Sequence, residues 1–320
     1  MPTTNTRTTP HRSATIAAYL AVSGMAAVAT SPASAQSQSN ANVSTVECNG
    51  TLAGSSAPLG YADVIVNGGS CTLDGVLVHG SVKASNGATV ISRNGTEVRG
   101  AIEMKSGGDL TLNATVISGD VTLEDGGNLN VEGASAIKGV KLKNSGHVTV
   151  GVGASAGSLV IEGAGNLTVH GSVASLLKTG SGSVTFTSGA RSFPGGVAVV
   201  MGSLTPCGAE IGIDGADGEG SGGLSVLMGG AVTADSAAPC GPSTIAGSVI
   251  VEKGTGAVRF IDVTLVNGDL IVIERNGAIT LDAVSLSDIK LEKNAGAIQL
   301  LSVTTDSDST IADNAGSVTI

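Results

Sequence analysis

The chain has no tryptophan, two tyrosines and three phenylalanines among its 320 residues. Sugar sites commonly stack rings on aromatic faces, so that mode of recognition has little to work with here. An aromatic-rich core is excluded as well, and the interior must be filled by small aliphatic side chains. Positive charge is also scarce. Sixteen Lys and Arg face 26 Asp and Glu, for a formal charge of −10. A nucleic-acid backbone demands Lys and Arg, and an anionic membrane surface does too, so both are disfavoured as partners. Proline is rare, at 8 residues, while glycine is abundant, at 48. Glycine at that level can signal disorder, but a mean hydropathy of +0.32 and strict apolar alternation argue for a packed chain.

The first 35 residues read as an export signal. Arg7, His11 and Arg12 form a basic start, residues 15–30 are small, apolar and uncharged, and Ala33-Ser34-Ala35 fits the A-x-A cleavage pattern. The apolar part is too short and too alanine-rich for a membrane span, and no later stretch qualifies, so no transmembrane segment is expected after cleavage. Residues 36–47 form a polar lead-in, read as a flexible tail. Residues 48–320 are expected to form a single domain with irregular loops at 195–246. Secreted or cell-envelope localisation follows from the leader.

The chain is organised around repeats. Val82, Ile102, Val121, Val140, Leu159 and Leu176 each open a phrase of the form apolar-x-apolar-x-x-x-Gly-x-apolar-x-apolar, at steps of 20, 19, 19, 19 and 17 residues. The rhythm returns at Val249, Leu270, Ile289 and Ser309. Alternation marks strands with one buried face. Gly108, Gly127, Gly146, Gly165 and Gly182 stand between the two strands of each copy, where a residue tolerant of positive φ allows a tight corner. One such unit cannot bury its apolar face alone, but stacked units can. The expected fold is all-β, a parallel β-helix solenoid with about 19–21 residues per coil.

Outward slots test the register. Lys105, Glu124, Lys143 and Glu162 occupy one slot with alternating sign, as cross-strand pairing favours. The centre of the second strand carries Thr111, Asn130, Thr149, Thr168 and Thr185, then Arg259, Thr280, Gln299 and Thr319. Such a surface ladder resembles the faces of β-helical ice-binding proteins, although threonine is favoured on any exposed strand. Asn276, Asn294 and Asn314 precede the later corners and are placed to form a side-chain ladder.

Four cysteines in an exported chain point to two disulfides, and nearest-neighbour pairing, Cys48–Cys71 and Cys207–Cys240, is the simplest of three connectivities. Their spacing matches no compact metal pattern. Residues 195–246 break the rhythm and read as two coils with longer loops. Asp214, Asp217 and Glu219 lie there. Hard oxygen ligands among glycines could hold Ca²⁺, but the set is short of a full site, and a solvated acidic loop is the plainer reading. No cofactor other than Ca²⁺ is indicated. The same acids could act as a base in a polysaccharide lyase or hydrolase of β-helix type.

The phrase from Ile117 to Val121 is similar to bactofilin-like polymer-forming repeats, and the coils resemble those of secreted adhesin passengers, within the right-handed parallel β-helix proteins in general. The resemblance implies fold and no site residues. The expected function is an exported, non-enzymatic structural or adhesive protein of the envelope or extracellular matrix. Its expected partners are further copies of itself or a cell-surface polysaccharide or protein. The alternatives are a β-helix polysaccharide lyase or hydrolase and an ice-binding protein.

Overall fold

The computed structural model describes residues 43–54, 59–144, 146–192, 195–212, 223–237, 239–307 and 309–320. They belong to one unit, Ala41–Ile320. The expected export signal and residues 36–42 of the lead-in lie outside them. The described chain is all-β and parallel, wound into a solenoid of about 13 turns with about 19 residues per turn. Each turn presents three sheet faces, A, B and C in chain order.

Face A is built on the predicted openings. Val82 pairs with Ile102, Ile102 with Val121, Val121 with Val140, Val140 with Leu159, and Leu159 with Leu176. The stack continues through Val197, Leu224, Val249, Leu270 and Ile289. It also begins earlier than the expected domain start at 48. The strand Val46–Glu47 pairs with Val64–Asn67, which pairs with Val82–Ser85. Face B stacks strands such as Leu110–Asn113, Leu129–Glu132 and Val148–Val150. Face C is made of shorter pieces, for example Leu77–Val78 and Glu97–Val98.

Faces C and A are one continuous strand in the most regular coils. The strand Val116–Glu124 pairs with Ala136–Lys143, with a register shift between Ile117 and Asp120. That irregularity turns the corner while keeping the ladder on both sides. Later coils move the continuous corner to faces B and C, as in Val258–Val266 and Ile279–Leu286.

The interior holds two columns of mostly aliphatic residues on each of faces A and B, and face C adds one aliphatic column beside a column of Thr, Ser and Ala. Val121, Leu123, Leu110 and Leu112 are fully buried, and so are their counterparts through most of the stack. Each such side chain contributes about 1.5–3 kcal/mol when taken out of water. Among the described residues, Phe186 and Phe260 are buried in face B slots, and Phe260 pairs beside Ala234, whose small side chain leaves room. Both disulfides form with the nearest-neighbour pairing. Cys48–Cys71 is buried between the first two coils, and Cys207–Cys240 ties the two enlarged coils that open at Val197 and Leu224.

The corner glycines meet two needs, and the expected one holds at Gly108, Gly127 and Gly182, whose φ values are 108°, 83° and 112°. Positive φ at the corner between A and B falls on non-glycine residues as well, including Asn86, Ser106, Asp125, Asn144, Lys253, Lys293 and Asp313. Gly256, Gly277, Gly296 and Gly316 have no positive φ. A Cβ on Gly277 would land on the carbonyl of Gly256, one on Gly296 on that of Gly277, and one on Gly316 on that of Gly296. Glycine is required there because the preceding coil's backbone occupies the space of a side chain.

Several buried polar groups close the corners from inside. Between faces B and C, Thr115 Oγ1 donates to Ser92 Oγ at 3.0 Å, and Thr115 N donates to Ser135 Oγ at 3.1 Å. Thr96 Oγ1 donates to the carbonyls of Leu73 and Arg93 at 3.1 and 2.8 Å. Between faces A and B, Lys178 and Arg275 are fully buried. Lys178 Nζ donates to the carbonyls of Gly163 and Ser181 at 2.8 and 2.9 Å. Burial lowers the Lys178 pKa, because the ammonium has exchanged water for carbonyl dipoles.

The asparagine ladder is shorter than expected. Asn294 N and Nδ2 donate to Asn314 Oδ1 at 2.9 and 3.0 Å. The next place is held by Arg275, whose N–H donates to Asn294 Oδ1 at 3.0 Å, while Asn276 is exposed one position further on.

Candidate functional site

Strand alternation separates the molecule into an inward set of residues that hold the fold and an outward set free to meet a ligand. The candidate site is therefore an outer surface, and face B carries the most regular one.

Its central outward row runs the length of the solenoid. Thr51 pairs with Thr72, Thr72 with Ile91, Ile91 with Thr111, and Thr111 with Asn130. Asn130 pairs with Thr149, Thr149 with Thr168, Thr168 with Thr185, and Thr185 with Thr205. Leu204 pairs with Val232, which sets Thr205 beside Thr233, and the row ends through Arg259, Thr280, Gln299 and Thr319. Thr51, Thr72, Thr205 and Thr233 extend the ladder beyond the members that the repeat phrase identifies. They are hidden in sequence because the first coils and the enlarged coils depart from the regular step. The signal that finds them is the apolar pair flanking each, as in Leu204-Thr205-Pro206 and Val232-Thr233-Ala234.

A second row lines face B two residues earlier. Asn128 N and Nδ2 donate to Asp109 Oδ1 at 2.9 and 3.0 Å, and His147 N donates to Asn128 Oδ1 at 2.8 Å. Ser183 N and Oγ donate to Asn166 Oδ1 at 2.8 and 3.1 Å. These bonds run from coil to coil and fix the row's spacing. His147 takes part through its backbone, as a surface residue of the row.

Charged groups are dispersed on face B. Arg93 pairs with Asp74 at 2.9 Å, and Arg259 with Asp235 at 3.0 Å. Hydrogen bonds from Asn94 and then Arg93 hold the Asp74 carboxyl below the usual carboxylate range. For Asp235, the Ala237 N–H and then Arg259 act in the same direction. These are surface pairs of carboxylate and guanidinium. On face A, Glu124 pairs in register with Lys143, and Lys143 with Glu162, as their alternating signs anticipate.

The acidic cluster Asp214, Asp217 and Glu219, with the Ca²⁺ and acid–base readings placed on it, lies outside the described residues. Among the described residues no group of three His, Cys, Asp or Glu side chains converges to hold a metal ion. The depressions are open rather than enclosed. One of about 390 Å³ lies on face A against Gly195, Gly196, Ala198, Gly223, Ser225 and Ile250, and one of about 260 Å³ against Glu103, Lys105, Thr122 and Glu124. Among the described residues no helix is long and apolar enough to cross a membrane. The two disulfides fit an oxidising, extracellular compartment. Comparison with protein-family models, with curated proteins and with solved structures finds no match for this chain, so the parallel β-helix fold is as far as likeness carries it.

Proposed function

We propose that the chain is a non-enzymatic, extracellular structural or adhesive scaffold that attaches through face B to an extended, repetitive polysaccharide surface of the cell envelope or matrix. The observation that carries this reading is the central outward row of face B, with threonine at ten of its fourteen coil positions, from Thr51 to Thr319. Its hydroxyls repeat at the strand spacing of about 4.8 Å. A long, shallow, periodic row suits a polymer lying along it better than a small molecule, which needs a concave pocket. The earlier likeness to adhesin coils agrees with this reading, and a polymer-forming role like that of bactofilin-like repeats is its structural variant.

The test is co-sedimentation of the purified protein with cell-wall sacculi, crystalline cellulose and chitin. Adsorption to at least one is expected, and the triple variant Thr149→Lys, Thr168→Lys, Thr185→Lys should lower the bound fraction at least ten-fold. No adsorption, or adsorption that the triple variant leaves unchanged, would remove the reading.

A second reading, ice binding, is favoured by one specific stretch. Thr149, Thr168, Thr185, Thr205 and Thr233 follow one another in register without interruption. Each offers a methyl and a hydroxyl to an ordered water lattice. Thermal hysteresis in a nanolitre osmometer measures this directly, and a freezing point equal to the melting point would exclude it.

A further inference from the structure

Face A changes character halfway along the solenoid. In the coils that open at Val82, Ile102 and Val140, its outward positions include Lys83, Glu103, Lys141 and Lys143. Further on they hold Leu177, Val200, Leu227, Ile250, Ile271 and Ile273, with Glu252 as the one charge among them, in register between Leu227 and Ile273. The outward positions of the three strands beginning at Leu176, Val197 and Leu224 carry no charge at all. Beside this strip, on the A–B corner, Met201 and Met228 are 53% and 57% exposed. None of these side chains is needed for the core, because the inward slots of the same strands are filled by Leu176, Val197, Val199, Leu224 and Val226. A contiguous apolar strip on an outer sheet face marks an interaction surface.

We infer that this strip is where a second copy of the chain docks, face A against face A, with the two solenoids running in opposite directions. The argument is one of register and charge. A two-fold axis along the strand direction, passing between the strands that open at Val197 and Leu224, brings the strip onto itself. Val200 then faces Leu227 of the second copy, and Leu177 faces Ile250. The uncharged strands that open at Val197 and Leu224 meet at the centre, where desolvating a charge would cost most, while further out Glu252 faces Thr179 and Glu162 faces Ile273. At the ends of the strip Lys143 meets Glu292, so opposite charges close the rim. The Lys290 ammonium, which meets Lys141, is already paired with Glu292 at 3.3 Å. Eight strands at about 4.8 Å, with outward rows about 14 Å across, give roughly 540 Å² per copy, or about 1,100 Å² in total. That clears the lower bound of a specific interface and sets the dimer among weak, reversible ones. A nucleic acid or an anionic membrane would be repelled by the acidic surface. Pairing through face A leaves the threonine face of each copy free, and it depends on the solenoid geometry rather than on what face B binds.

Analytical ultracentrifugation of the full chain tests this between about 1 and 500 µM, values chosen to bracket a weak dimer of about this area. Wild type is expected to pass reversibly from monomer to dimer. Val200→Asp with Leu227→Asp should abolish the dimer while leaving the circular dichroism unchanged. An equimolar mixture of the single variants Val200→Asp and Leu227→Lys should restore it to within two-fold of wild type, since the introduced carboxylate of one copy then meets the introduced ammonium of the other across the two-fold axis. Should the aspartates disturb folding, Lys143→Glu should weaken the dimer and Lys143→Glu with Glu292→Lys should recover it. A monomer throughout the range overturns the inference, and so does a dimer that these variants leave intact. A monomer that instead floats with phosphatidylcholine vesicles overturns it too.

Discussion

Replacing Arg275 is the sharpest test of how the corner between faces A and B is held. Its side chain is fully buried, and its Nη1 donates to the carbonyls of Lys253 and Gly229 at 2.8 and 3.3 Å. Nη2 donates to those of Gly256 and Gly230 at 2.6 and 2.8 Å. Nε has no partner. Burial lowers the Arg275 pKa, yet a guanidinium stays charged at any ordinary pH. Arg275→Met keeps most of the volume and strips four carbonyls of their donor. An orphaned buried acceptor costs about 1–3 kcal/mol. The methionine no longer bears the desolvation of a charge, so the low end applies, and the net loss is expected at about 4 kcal/mol. Arg275→Lys offers one compact ammonium where a planar fork spans four oxygens, and it should recover only about half of that loss. Urea denaturation followed by circular dichroism reads both values from the midpoint at unchanged slope. Arg275→Met within about 0.5 kcal/mol of wild type, the range of an ordinary surface change, would refute the account, as would Arg275→Lys equal to wild type.

Lys178 should make stability depend on alkaline pH. Its folded pKa lies below that of a free lysine, so the unfolded chain binds more protons between the two values, and stability should rise with pH across that window, up to about 10.4. Lys178→Met should flatten the rise, and a wild-type curve parallel to the variant's would contradict the assignment. Gly296→Ala should cost about 3 kcal/mol, because its Cβ would occupy the place of the Gly277 carbonyl, whereas Gly241→Ala, with open space around it and no positive φ, should cost clearly less; equal melting temperatures for the two would count against the close-approach explanation. Removing the second disulfide by Cys207→Ser with Cys240→Ser should lower stability by about 3.5 kcal/mol, for a closed loop with a sequence separation of 33 residues, and a midpoint unmoved by reduction would show that the link contributes nothing.

Much of the fold was legible because a solenoid writes its register into sequence. The openings from Val82 to Leu176 are mutual partners in the ladder, since the same inward slot demands the same residue type at each turn. What stayed hidden had local reasons. Asn276 looked like a ladder member by its distance from Gly277, but the hydrogen-bonded column runs one residue earlier, through Arg275. A cation inside the barrel defeats a reading based on apolar alternation, and Lys178 likewise sits in an inward slot between Ile161 and Val199. Ala62–Val66 reads as a strand, but the openings at Val46 and Val64 do not fit the repeat phrase, because the corner after Val64, at Asn67-Gly68-Gly69, is one residue shorter than the later ones. The outward apolar strip was overlooked for a related reason. In strands such as Leu270–Arg275 the apolar residues run continuously, and alternation no longer tells inside from outside.

The strict division between inward and outward slots has a consequence for how such a molecule can change. An outward substitution on an exposed strand typically shifts stability by no more than about 0.5 kcal/mol, so the text on each outer face can be rewritten while the inner text is left alone. This chain shows that freedom within a single face. Lys141 and Leu177 stand two coils apart on one ladder, above interior neighbours of the same kind, Val140 and Leu176. Fold and recognition are thus written in separate alphabets, and a new surface specificity can arise without risk to the scaffold that displays it.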